Sequence, residues 1–537
     1  MNGTMMGVPL TLTPLFTRAV SLFGEREIVS RRSDRSIHRY RYADFGRRAL
    51  QLAEALVRAG LQPGERVATL MWTDSAHLEA YFGIPLASGV LHTINLRLPP
   101  AQLAFIIKDA GDRFLIVDET LLPLVASWWK GSGLERVFVV RDERAGVTAL
   151  PDGLESYESF LRDTHGKHEP PEIRESDACG MCYTSGTTGN PKGVVYTHRS
   201  TVLHSLVIAL PDCLSMSQYD AVLPVVPMFH VNAWGIPYAS VMVGAKLVLP
   251  GRHLDPVSLL ELYESEQVTM TAGVPSIWLG VLQALEREPQ RWKLPRMRMV
   301  VGGSASPESL LRGFDRHGQQ VIHAWGMTET SPAGLVSRIK PTLAQTSEAE
   351  QYHLRAKQGV PVPLVEARIV GQNGPAAHDG KAVGELEVRG PCVTASYFGA
   401  NDPDRFTPDG WLRTGDIATI DAEGYVHIVD RLKDLVKSGG EWICSVELEN
   451  AIMAHPAVLE ACVVAVPHQQ WGERPLALVS FRQEQQASPE ELRQHLTTLV
   501  PKWWLPDGFV TVPEVQKTST GKFDKGALRE RYATWRA

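Results

Sequence analysis

Thr184 to Lys192 read "TSGTTGNPK". Gly186 and Gly189 free the backbone to aim several N–H groups at one point. Ser185, Thr187 and Thr188 add hydroxyl donors, and Lys192 adds a compact cation on a flexible stem. Such a loop suits a phosphate. It is not the Walker pattern, because Pro191 stands where that pattern has its second glycine and Gly193 follows Lys192 instead of preceding it. Further along, Asp416 in "RTGDIA" precedes Arg431 by fifteen residues. A carboxylate accepts hydrogen bonds from both vicinal hydroxyls of a ribose, and a guanidinium supplies planar donors beside it. Glu329, in "HAWGMTET", offers hard oxygen of the kind that suits a magnesium ion. Trp325 presents a flat aromatic face, while Gly302, Gly303 and Ser304 let backbone approach a ligand closely or simply turn from strand to helix.

The elements that must position these residues alternate. "YADFGRRALQLAEALVRAG" predicts a helix with Leu52, Ala53, Leu56 and Val57 on one face, ending at Gly60. "ERVATLM", "FLIVD" and "RVFVVRD" are apolar runs of strand length, and "SAHLEAYFGIPLASG" is a helix between two of them. Alternation of this kind predicts an α/β fold: a large N-terminal domain of parallel sheets covered by helices on both faces. After "DRLKD" the pattern changes to helix, strand, strand, helix, a small mobile α+β domain. We place the domains at 1–431 and 432–537, with the polar "DRLKD" as the hinge.

Composition sets the outer limits. The chain has 537 residues, too many for one core, with 44% hydrophobic and 21% charged residues. A net charge of −6 carries no nucleic-acid footprint. The basic segment from Lys517 onward reads mainly as a solvated face. Of six cysteines only Cys179 and Cys182 form a C-x-x-C pair, with no second pair to complete a zinc site; they read as two small apolar residues in a strand leading into the glycine loop. Low cysteine usage fits a reducing compartment. The uncharged run 221–245 is long enough to span a membrane, but Pro224, Pro227 and Pro237 break it and His230 and Asn232 would need partners in lipid, so it is buried interior. No signal peptide is readable.

"YTSGTTGNPKGV" resembles the signature of the adenylate-forming superfamily, which includes acyl-CoA synthetases, luciferases and peptide-synthetase adenylation domains. "PMFHVNAW" (227–234), "VGGSASP" (301–307), "HAWGMTET" (323–330), "RTGDIA" (413–418), "DRLKDLVKSGGEW" (430–442) and "KTSTGK" (517–522) follow in the family's order over nearly the whole chain. The wording around residues 225–239 and 430–449 is similar to medium- and long-chain fatty-acyl-CoA synthetases.

That resemblance implies an AMP-forming acid–thiol ligase working through an acyl-adenylate, with ATP and coenzyme A as co-substrates and Mg²⁺ as cofactor. It implies that Thr184, Ser185, Gly186, Thr187, Thr188, Gly189 and Lys192, then Gly303, Ser304, Trp325, Gly326, Met327, Thr328 and Glu329, and finally Asp416 and Arg431 bind the nucleotide. Thr184 and Glu329 would hold the metal. His230, Trp234 and Gly302 would form the acyl site, Gly439, Gly440 and Trp442 the coenzyme A site, and Lys433 the hinge. Lys522 would be the catalytic lysine, with His230 beside the acyl carboxylate. Tryptophan at 325 departs from the tyrosine of many relatives. The fatty acid leads as substrate; a short thioether acid such as 3-methylthiopropionate, an aryl acid, or a luciferase-like oxidase are the alternatives. A cytoplasmic homodimer with transient membrane contact and no nucleic-acid partner completes the expectation.

Overall fold

The computed structural model describes every residue except 2, 142–148, 185–190, 372–373, 401, 440, 519–521 and 537. Two large sheets dominate the first three hundred and sixty residues. One has nine strands, ordered Val360–Pro361, Ala333–Val336, Gln320–Gly326, Arg298–Val301, Met270–Gly273, Ala221–Pro224, Lys246–Leu249, Glu27–Arg31, Ile37–Arg41. Its central pairs are parallel and its two edges antiparallel. The other has seven strands, parallel until Ala178–Tyr183 meets Gly193–Thr197 in the antiparallel sense. Those last two strands flank the glycine loop and fix where its ends emerge.

The alternation read from the sequence holds. The helix Tyr42–Arg58 buries Phe45, Ala49, Leu52, Ala53 and Leu56, and Gly60 (φ 88°) leaves it in the left-handed region. Val57 corrects the expectation: it is 43% exposed. The buried stripe centres on Ala49, Leu52 and Leu56, so the next residue round, 100° away, faces solvent. The uncharged run 221–245 forms the central strand Ala221–Pro224 and the helix Ile236–Val243, both largely buried. Among the described residues no helix is long and apolar enough to cross a membrane.

A third sheet, residues 366–431, is wholly antiparallel. A fourth is built from Val436–Ser438, Glu441–Ile443, Val458–His468, Gly472–Phe481 and Gly508–Thr511, with the helices Ser445–Met453 and Pro489–Leu496 of the expected α+β pattern. The basic tail also needs correcting. Lys517 pairs with Glu460 at 2.8 Å, and Lys525 is bonded to Glu449 at 2.7 Å and to Ser445 Oγ at 2.6 Å. These lysines tie the last helix, Lys525–Arg531, to the rest of the small part instead of solvating it.

Candidate active site

Parallel α/β sheets gather ligands beyond the carboxyl ends of their strands, and a cavity of about 790 Å³ lies there. Strand Ala178–Tyr183 delivers Thr184 to it, Arg298–Val301 delivers Gly302 and Gly303, and Gln320–Gly326 delivers Trp325 and Gly326. Met327 follows in extended conformation, then Thr328 and Glu329 in the short 3₁₀ helix Thr328–Thr330, and all three line it. Only glycine serves at 326, because a Cβ there would lie 1.9 Å from the Pro332 carbonyl oxygen.

The third sheet supplies the Asp416–Arg431 pair. Its strands Leu412–Ile420 and Val426–Arg431 are antiparallel neighbours, and their register sets Asp416 directly opposite Arg431. Arg431 Nε reaches Asp416 Oδ1 at 3.1 Å, and Trp325 Nε1 donates to Asp416 Oδ2 at 2.9 Å. The Asp416 carboxylate, followed by burial, acts on Arg431, and the net effect raises its pKa. Trp325 therefore has a polar task besides offering a ring face: its indole N–H orients the carboxylate, which the sequence did not disclose.

His230 and Trp234 reach the cavity through a strained turn. Val231, Asn232, Ala233 and Trp234 have φ of 46°, 51°, 50° and 58°, a left-handed run of four non-glycine residues. Each such residue costs about 1–2 kcal/mol, and buried hydrogen bonds offset part of this. Asn232 Oδ1 accepts from Thr93 Oγ1 at 3.1 Å and from Cys182 Sγ at 3.0 Å. Cys182 thus acts from within the strand, as Cys179 and Cys182 were placed. The turn swings the Trp234 indole against Gly302, where a Cβ would lie 3.0 Å from Trp234 Cη2. Beyond the indole the wall is apolar, with Ile208, Leu214, Val300, Ala324, Ala333 and Val336. Burial holds His230 neutral, its pKa lowered to about 3 with Lys522 and Arg97 adding to the effect.

Lys522 comes from the small part of the chain, yet it lines the same cavity. A Cβ on Gly303 would sit 3.5 Å from its Cε. Burial and the Arg431 charge lower its pKa to about 8, against the opposing pull of Asp416 and Glu329. Lys433 lines the cavity too, and desolvation lowers its pKa. Lysine 522, Lys192 and Arg431 around a space that also holds one buried carboxylate, Glu329, make a pocket for a polyanion carrying a hard cation.

Not every expected residue is there. Ser304 is absent from the lining, and Asp416 is set behind Arg431 and Trp325. Gly439 and Trp442 lie on the hairpin Val436–Ile443, away from the cavity: Gly439 N donates to Trp471 O at 2.8 Å, and Trp442 is 41% exposed. Ser185, Gly186, Thr187, Thr188, Gly189 and Gly440 lie outside the described residues. Sequence reasoning missed Tyr397, Asp402 and Arg405, which also line the cavity.

Fold and cavity together define a two-part α/β protein whose cavity at the carboxyl ends of its strands is lined by cations, one of them a lysine from the smaller part. The chain belongs to the AMP-binding enzyme family: that family's model matches residues 16–398, and the model of the AMP-binding enzyme C-terminal domain matches residues 447–522. It is 50% identical over 537 residues to a long-chain-fatty-acid–CoA ligase of Thermus thermophilus, covering 99% of this chain and 97% of that one. It is 43% identical over 536 residues to a 3-methylmercaptopropionyl-CoA ligase of Ruegeria pomeroyi, covering 99% of each. The fold is that of the anthranilate CoA ligase AuaEII solved with anthranoyl-AMP, with a TM-score of 0.86 at 24% identity and 98% of each chain covered.

Proposed function

We propose that the protein is an ATP-dependent ligase that joins medium- to long-chain fatty acids to coenzyme A through an acyl-adenylate, releasing AMP and pyrophosphate. The observation that carries this is Lys522, from the small part, enclosed in the same cavity as Thr184, Lys192 and an apolar wall. In the first step the acid's carboxylate attacks the α-phosphorus, and negative oxygens converge. Lys522 places an ammonium among them and offsets that repulsion as charge develops. Neutral His230 borders the carboxylate without adding charge, and Arg431, oriented by Asp416 behind it, borders the ribose. Thr184 and Glu329, both hard oxygen donors on the cavity wall, fit a magnesium ion. Held there, such an ion would supply positive charge to screen the phosphates.

The acyl chain takes the apolar channel past Trp234, where each buried CH₂ contributes about 0.8 kcal/mol. Gly302, Ala324 and Ala333 keep that channel open by being small. For the second step the small domain, residues 432–537, turns about Lys433. This withdraws Lys522 and brings Gly439, Gly440 and Trp442 to the cavity for the coenzyme A thiol. A homodimer in the cytoplasm belongs to the same reading, resting on resemblance alone.

The test is thioester formation over straight-chain acids from acetate to stearate, with benzoate and 3-methylthiopropionate included. We expect an optimum at a medium or long chain. The Ruegeria relative motivates the second reading, and an optimum at 3-methylthiopropionate establishes it. An optimum at acetate or benzoate overturns the fatty-acid assignment.

A further inference from the structure

We infer that Tyr397 is a positioning residue that sets Glu329 and Lys192 on opposite sides of the triphosphate, and that its hydroxyl fixes which oxygen of Glu329 meets the metal ion. This rests on the nucleotide reading above.

Tyr397 is 7% exposed and packs with Cys182, Val194, Tyr196 and Val231, the strands that flank the glycine loop and the left-handed turn. Its surroundings are stitched in place from both sides. Phe398 N donates to Gly193 O at 2.8 Å, at the return end of the loop, and Thr394 N donates to Glu329 O at 2.8 Å. The ring therefore has little freedom relative to either charged group.

Its two ends then do different things. The phenol donates to Glu329 Oε1 at 2.6 Å, and the Arg405 guanidinium approaches that same oxygen at 3.9 Å. Oε2 carries neither contact. A carboxylate pinned through one oxygen has a fixed plane, and the other oxygen is presented in a fixed direction. Hard cations bound by a single carboxylate and waters depend on that direction, since Mg²⁺ tolerates little departure from octahedral geometry. On the other side, Lys192 Nζ lies 5.0 Å from the Tyr397 ring centroid, within cation–π range, and contacts Asp402 as well. One aromatic side chain thus stands between a carboxylate, bonded to its hydroxyl, and an ammonium over its ring face. The family reading assigns both charges to ATP; the geometry assigns Tyr397 the task of keeping them apart.

Two variants separate the hydroxyl from the ring. For Tyr397→Phe, which keeps the packing, we expect the Mg²⁺ concentration giving half-maximal ATP–pyrophosphate exchange to rise roughly ten-fold, the weight of one hydrogen bond to a charged group. Saturating Mg²⁺ restores the rate. In calorimetry without acid, ATP affinity in EDTA stays at the wild-type value while the gain from adding Mg²⁺ shrinks. Tyr397→Leu removes the platform for Lys192 as well, so ATP affinity in EDTA also falls several-fold. Wild-type Mg²⁺ dependence in Tyr397→Phe overturns the inference, as does an equal loss of affinity with and without metal. The calorimetric arm needs no acyl substrate. An absence of exchange with every acid therefore sinks the ligase reading while leaving Tyr397 tested on its own.

Discussion

Lys522 and Trp442 both belong to the small part of the chain, and they stand in opposite relation to the cavity. Lys522 is inside, desolvated and beside Arg431 and Glu329. Trp442 stands on a hairpin that presents its ring to solvent, with Lys437 5.1 Å from that ring's centroid. The contacts at the junction explain why the first arrangement holds. Asp430 is fixed in the third sheet opposite Ile417, yet its carboxylate accepts from Ser445 N and Ser445 Oγ, both at 2.6 Å. Lys525, bonded to the same Ser445 hydroxyl, adds charge to the contact, and Arg529 pairs with Asp434 at 3.0 Å. The large part thereby caps the first helix of the small part with a buried carboxylate. A turn about Lys433 must break that cap, so the difference between the two faces is held by a few named bonds, and it can be tilted.

The largest effect expected is on Lys522→Met. Adenylate formation should fall roughly 10²–10³-fold, the usual weight of one preorganised charge-stabilising group, while thioester formation from a supplied acyl-adenylate changes far less. Single-turnover rates for each half-reaction measure this, and equal losses would erase the contrast between the two faces. Asp430→Ala comes next. Loss of the cap should lower adenylation by about ten-fold relative to the thioester step, in line with hydrogen bonds to a buried charge. The ratio of the two half-reactions is the readout, since misfolding would lower both alike. Trp442→Ala should do the reverse on a smaller scale, slowing the coenzyme A step several-fold and leaving ATP–pyrophosphate exchange at its wild-type rate.

The smallest effect is in the pH profile. Lys522 loses its proton as pH rises through about 8, where an ordinary lysine would hold it to about 10.5. The adenylation kcat/KM should therefore be halved near pH 8 and fall further above it, and the thioester step should lack that limb. The stability linkage has the opposite sense. The buried cation opposes the folded arrangement below its own pKa, so this group's contribution to stability improves as pH rises from about 8 towards 10.5.

Much of this was legible in the residues. Period and punctuation placed the strands, the Tyr42–Arg58 helix and the α+β pattern after 432, because local propensity and burial agree there. Motif chemistry brought Thr184, Lys192, Glu329, His230, Trp234 and Lys522 to one cavity across nearly the whole length of the chain. What stayed hidden depends on contacts between distant segments. The Trp325–Asp416 hydrogen bond joins residues 91 apart, and Tyr397 meets Glu329 across 68. The left-handed run at Val231–Trp234 has no glycine to announce it before Gly235. Val57 was misplaced because two adjacent turns of a helix share an edge that sequence spacing alone does not assign to core or solvent.

The central claim is that a cation from the small domain lies desolvated where the phosphates of ATP must go. Calorimetric measurement of proton uptake on ATP binding, repeated in buffers of different ionisation enthalpy, tests it most directly. Phosphate oxygens restore the ordinary affinity of Lys522 for its proton, so binding near pH 8 should take up a substantial fraction of one proton, and binding near pH 6, where the lysine is already charged, should take up almost none from it. In Lys522→Met the pH 8 uptake should vanish. Equal uptake in the wild type and Lys522→Met would contradict the account.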